Sequence, residues 1–240
     1  MQNAPLVERF QSLWQRLGAE DGAGVAAAGA RLLALYAAPA RAYHNQTHLE
    51  DVLAKLDWAQ SALVHSGELS GLDSTARRRL FDTLALALFY HDAVYDAKAK
   101  DNEAQSREMM KRDAAAFGIN NALIADAARL IDLTAHHGAA ARLDEKIMAD
   151  CDLAILGAAP EGFKKYDAAI RTEYAHVPAP LYAAGRAKVL QGFLDTPQLF
   201  KTRAFADSFD AAARRNLAAA LTPPAPAPLL GRIKRFLFKG

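Results

Sequence analysis

A single cysteine, Cys151, stands in 240 residues, so neither a disulfide framework nor a zinc-ribbon spacing can be assembled. That fits a reducing compartment. No apolar run approaches the roughly 20 residues a helix needs to cross a bilayer. The opening MQNAPLVERFQSLW lacks a basic start and a continuous apolar stretch, so no secretory signal is expected. Charge of one sign is scarce too. Twenty-nine Lys and Arg face 27 Asp and Glu, and a net +2 does not call for a nucleic-acid partner. Val and Thr runs are few, alternating strand patterns are missing, and no Gly-rich loop of the P-loop kind occurs. What these absences leave is a cytoplasmic, all-helical enzyme or binding protein.

What is present is alanine, leucine and helical periodicity. The spacing predicts helices over 6–17 (closed by Gly18), 23–36, about 47–65, 75–90, 102–117 (stopped by Gly118), 122–137, 143–156, 163–174, 180–194 and 207–221. Thr47 and Glu50 have capping-box spacing at the third of these, and Asn45 is an alternative cap. Short connections predict one packed helical domain over 1–221. Residues 222–240 differ in kind. A Pro/Ala linker (TPPAPAP) leads to LLGRIKRFLFK, a basic amphipathic tail suited to docking on its own domain, a partner or an anionic membrane surface.

The chain is organised around 85–96, ALALFYHDAVYD. The apolar stripe Leu80, Phe81, Leu84, Ala85, Leu88 leads at helical spacing onto His91 and Asp92. A carboxylate aimed into a core costs several kcal/mol unless it is compensated. The compensation is either a His–Asp hydrogen bond or a divalent cation. Further segments favour the cation. His48 precedes the stripe Val52, Leu53, Leu56 by one turn, and Asp152 shares a face with Met148, Cys151 and Ile155. Asp150 falls off that face and is the fallback ligand. Two imidazoles and two carboxylates suit Mn²⁺, Fe²⁺, Co²⁺, Ni²⁺, Mg²⁺ or Zn²⁺, and the lack of thiolates argues against a closed structural zinc site.

At these residues the chain resembles the HD superfamily of metal-dependent phosphohydrolases, whose members carry a His, a His-Asp doublet and a distant Asp. The segments Tyr43–His44–Asn45 with His48–Leu49, His91–Asp92–Ala93–Val94–Tyr95–Asp96, Asn102–Glu103, His136–His137, Asp152–Leu153–Ala154–Ile155–Leu156–Gly157, and Tyr166 with Ile170–Arg171–Thr172–Glu173–Tyr174 are similar to one bacterial subgroup of predicted HD phosphohydrolases. The resemblance covers roughly residues 40 to 195. It implies an all-α fold with His48, His91, Asp92 and Asp152 as ligands of one divalent metal, and hydrolysis of a phosphate ester or anhydride on a small, nucleotide-like substrate.

Such chemistry needs an acid to protonate the leaving oxygen. Asp96 is a candidate if the helix continues one turn past Asp92, and Glu103 is another. Their structural alternatives are a turn and a helix-dipole partner. His44, Asn45, His136, His137 and Arg171 are candidate substrate contacts. The two histidines also suit a second metal, and Arg171 alternatively pairs with Glu173. His65 and His176 are expected at the surface, and the basic cluster of Lys98, Lys100, Lys111 and Arg112 is left out of the site. Two other readings stay open: a non-catalytic nucleotide- or metal-binding regulatory module, and a di-iron oxygenase on the same kind of fold.

Overall fold

The computed structural model describes residues 6–222, without the side chains of His137 and Gly138. Within them the architecture is all-α, with no strand and no helix long and apolar enough to cross a membrane. Nearly all of the linker and the whole basic tail lie outside the described residues.

In chain order the helices are α1 (Leu6–Leu17), α2 (Gly22–Tyr36), α3 (Gln46–His65), α4 (Ser74–Tyr90), α5 (Asn102–Ala116), α6 (Asn121–Leu133), α7 (Leu143–Leu153), α8 (Pro160–Glu173), α9 (Ala179–Asp195), α10 (Arg203–Phe205) and α11 (Ala211–Leu221). Short 3₁₀ turns follow α6 (Thr134–Ala139) and α7 (Ala154–Gly157), and a π-helical turn, Ala206–Asp210, joins α10 to α11. Gly18 and Gly118 take the left-handed conformation just past α1 and α5, where a side chain would be strained.

Helix α4 is the axis. Every residue from Phe81 to Tyr90 is buried, including Asp82, which pairs with Arg16, and Thr83, which donates to the Arg79 carbonyl; a helix buried all round is enclosed by others rather than lying on a surface. Its neighbours include α1, α3, α5, α6 and α7. At one end Phe10, Trp14, Phe89, Tyr90 and Phe117 interlock, with edge-on rings 5.1–5.2 Å apart for Trp14–Phe117 and Phe10–Phe89. Removing a buried ring of this kind costs about 3–5 kcal/mol. A second aromatic nest, Trp58 with Phe205 and Phe209, packs the C-terminal helices onto α3.

Helix α4 stops at Tyr90 as expected, with His91 as its cap, so the helix does not continue and Asp96 does not sit one helical turn beyond Asp92. Two other helix ends differ from the sequence expectation where it matters for the site. Helix α6 stops at Leu133, and His136 falls in the 3₁₀ turn with extended backbone (φ −148°, ψ 66°). Helix α3 is capped by Asn45, whose side chain accepts from the backbone N–H groups of Thr47 and His48; Thr47 is not the cap.

Candidate metal centre

Four side chains from α3, the end of α4 and α7 meet at one point. His48 Nε2 lies 3.2 Å from His91 Nε2, 3.4 Å from Asp92 Oδ2 and 3.5 Å from Asp152 Oδ1. His91 Nε2 lies 3.0 Å from Asp92 Oδ2 and 3.6 Å from Asp152 Oδ1. Ligands about 2.1 Å from a common ion stand roughly 3.0 Å apart in octahedral and 3.4 Å apart in tetrahedral geometry. These separations match those spacings, so the His48, His91 and Asp152 group could hold a metal ion, with Asp92 at the same point.

The tautomer supports this. His91 Nδ1 lies 2.8 Å from the Leu88 carbonyl, and donating there puts the Nε2 lone pair into the cluster. Nitrogen and carboxylate lone pairs then converge, and only a cation or a proton reconciles them. Burial works against a charged imidazole, yet Asp92 beside it, with Asp152, pushes His91 well above its usual range. Burial likewise lifts the Asp92 carboxyl, but His91, His44 and His48 hold it well below the ordinary carboxylate range. A metal entering the cluster competes with the His91 proton.

The two members of the Asp150–Asp152 pair do different work. Asp150 is fully enclosed, and its carboxylate accepts from Lys201 N–H (2.6 Å), Thr202 N–H (2.8 Å) and the Thr202 hydroxyl (2.7 Å). It ties α7 to the start of α10. Burial pushes its carboxyl up to about 6, against those three donors. Only Asp152 joins the metal cluster.

A shell of polar contacts fixes the His91–Asp92 corner. The buried Arg41 donates to the carbonyls of Asp92 (2.6 Å) and Ala93 (2.8 Å). The Tyr36 hydroxyl donates to the Phe89 carbonyl and accepts from Asp92 N–H. These bonds satisfy backbone groups where α4 ends.

The cluster is dry on one side and open on the other. His48 and His91 side chains are 2% and 1% exposed, whereas Asp92 and Asp152 are 16% exposed each and line a cavity of about 750 Å³. An open coordination face is the mark of a catalytic rather than a structural metal site.

His44, Glu103 and His136 also line this cavity. His44 is the best supported of the three by its neighbours. Its Nδ1 lies 2.7 Å from Glu173 Oε2, and its ring stacks 4.0 Å from that of Tyr95. Glu173 is buried and also accepts from Tyr43 N–H (2.7 Å), His44 N–H (2.9 Å) and the Tyr95 hydroxyl (3.0 Å). Burial alone would raise its carboxyl; His44 and these N–H groups bring it below the usual range. His44 is raised: burial opposes its charge, and Asp92 and then Glu173 overcome that.

The remaining candidates sit elsewhere. Asn45 spends its side chain on the α3 cap and on the Ala42 carbonyl, and it is not among the cavity's lining residues. Asp96 is exposed in a turn, accepting from Lys98 N–H and exchanging hydrogen bonds with Asn102. Arg171 donates to the carbonyls of Tyr174 and Val177, closing the C-terminus of α8, and does not pair with Glu173. The His137 side chain lies outside the described residues.

Arg41 and Tyr36 were not singled out from sequence, and Tyr95 and Glu173 appeared there within the quoted segments but not as site residues. The signal for Arg41 was a lone charge among small residues just before Tyr43–His44, and it does not announce a partner fifty residues away. No protein-family model, curated protein or solved structure matches the chain. The helical fold and the His/His/Asp cluster are compatible with an HD-type fold.

Proposed function

We propose that the chain is a metal-dependent phosphohydrolase acting on a phosphate ester or anhydride of a small, nucleotide-like molecule. The observation that carries this reading is the open carboxylate face of the cluster, shared with His44 in one cavity. A divalent ion bound by His48, His91, Asp92 and Asp152 would supply Lewis-acid stabilisation of a phosphoryl oxygen and a water of lowered pKa.

The chain's own residues supply the proton. The Glu173 carboxylate accepts the His44 Nδ1–H and fixes the ring, leaving the second nitrogen, Nε2, for the cavity. With Nε2 protonated, His44 donates to the leaving oxygen as the P–O bond breaks, and the neutral ring recovers its proton from water. Glu103 lines the same cavity and is the second acid in reach of it. Tyr43 lies against His48 with ring centroids 4.7 Å apart, and Tyr166 meets Tyr43 edge-on at the same distance, which holds the His48 ring in place.

The test is phosphate release from a panel of nucleoside mono-, di- and triphosphates by Mn²⁺-loaded protein. Turnover that is lost in Asp92→Ala and falls by about 10²–10⁴ in His44→Asn supports the reading. No release from any of them, with metal bound, contradicts it.

A further inference from the structure

The far wall of the cavity is the first half of α9, and it is built unusually. None of its residues before Leu190 is buried, Leu181 is 66% exposed and Val189 is 50% exposed. Two polar side chains one helical turn apart, Tyr182 and Arg186, turn inward from this helix and line the cavity. Arg186 donates from Nε to Asp167 (2.8 Å), lays its guanidinium over the Tyr166 ring at 5.1 Å and hydrogen-bonds the Tyr166 side chain. Its Nη2 is shut from solvent with no hydrogen-bond partner, and so is the Tyr182 hydroxyl.

A buried donor left unmade costs about 1–3 kcal/mol. Two of them on one wall of one cavity form a pattern rather than an isolated defect. Both are donors, one carries a positive charge, and a guanidinium is shaped to grip an oxyanion with more than one N–H. Asp167 takes its Nε and the Tyr166 side chain a further hydrogen bond, which leaves Nη2. The same cavity is lined by apolar Ile170, Leu181 and Val189.

We propose that Arg186 and Tyr182 form a distal oxyanion subsite, so that the ligand of this cavity carries a second anionic group besides the one placed at the metal cluster. This rests on the phosphohydrolase reading for the metal end. It goes beyond it by assigning the substrate class: a doubly anionic molecule with an apolar or planar body between its charges.

Binding of two probes by calorimetry to the Mn²⁺-loaded protein tests it. Adenosine 5′-monophosphate and adenosine 3′,5′-bisphosphate share one body and differ by one phosphate. Wild type is expected to bind the bisphosphate about tenfold more tightly. Arg186→Met should bring the two probes within about twofold, the loss falling on the bisphosphate, and Tyr182→Phe should remove about threefold of the preference. Because Arg186→Met also breaks the Asp167 ion pair, Asp167→Asn is the control: it removes the same pair, keeps the guanidinium and should keep the preference. Equal binding of both probes by wild type, binding of neither, or a preference that survives Arg186→Met overturns the subsite. Phosphate release on the same samples separates the two readings. A bisphosphate preference without turnover sinks hydrolysis alone, and turnover with a preference indifferent to Arg186 sinks the subsite alone.

Discussion

Asp150 and Asp152 stand two residues apart near the end of α7, yet they are in opposite chemical situations. Around Asp150 every neighbour is a donor: two backbone N–H groups and a hydroxyl meet one carboxylate. Asp152 instead stands with the Nε2 atoms of His48 and His91, and with Asp92, at the open cluster. A carboxylate surrounded by donors is complete and holds two helices together. Two carboxylates grouped with two imidazole nitrogens are a site that a cation can complete. Burial alone therefore does not distinguish a structural acid from a ligand; the groups gathered around it do.

The largest effect that tests this contrast is loss of a ligand. Asp152→Ala should abolish stoichiometric metal binding and cut activity by more than the roughly 100-fold typical of losing a ligand's supporting partner. Metal analysis alongside an activity assay checks it. Asp150→Ala should do the reverse. It orphans the buried Thr202 and Lys201 N–H groups at a cost of about 3 kcal/mol, a drop of roughly 6–12 °C in Tm for a chain of this size, while metal content stays at the wild-type level. If Asp150→Ala lost metal and Asp152→Ala kept it, the assignment would be inverted.

Glu173→Gln sharpens the contrast from the cavity side. Glutamine keeps the volume but replaces a charge-assisted hydrogen bond to His44, so turnover should fall about 10- to 100-fold at unchanged metal content. A parallel loss of metal would make Glu173 part of the scaffold of the cluster instead.

The smallest expected effect is on pH. In the metal-free protein His91 is raised and Asp92 lowered. The His91 contribution to stability is therefore full below its unfolded pKa and is lost as pH rises through the raised folded value. The Asp92 contribution is present above its unfolded pKa and is lost as pH falls through the lowered folded value. Metal must displace the His91 proton, so Mn²⁺ affinity should rise with pH by up to about tenfold per unit while one proton is released. Melting curves with and without Mn²⁺ at pH 6 and pH 8 read this directly, and a larger metal-induced shift at pH 6 would contradict it.

How far the sequence carries the reading follows from the range of the forces involved. The core side of α4 was legible because Leu80, Phe81, Leu84, Ala85 and Leu88 recur at helical spacing. The convergence of His48, His91, Asp92 and Asp152 was legible because each continues an apolar stripe, and the same stripe separates Asp152 from Asp150. The position of Asp96 was not, because α4 ends where Arg41 and Tyr36, some fifty residues earlier in the chain, take hold of the His91–Asp92 corner. His136 left its expected helix for a similar reason, since local periodicity does not show where a 3₁₀ turn replaces the last helical turn. Arg171 and Arg186 make the same point from the surface. Spacing puts both on helices, but only packing decides that one closes a helix end and the other lines the cavity.

The most direct test of the central claim is the metal content of protein purified without chelator, wild type and Asp152→Ala side by side. One divalent transition-metal ion per chain in wild type, absent from the variant, is the result this account predicts. No metal in either sample, even after Mn²⁺ is added back and the excess removed, would contradict it.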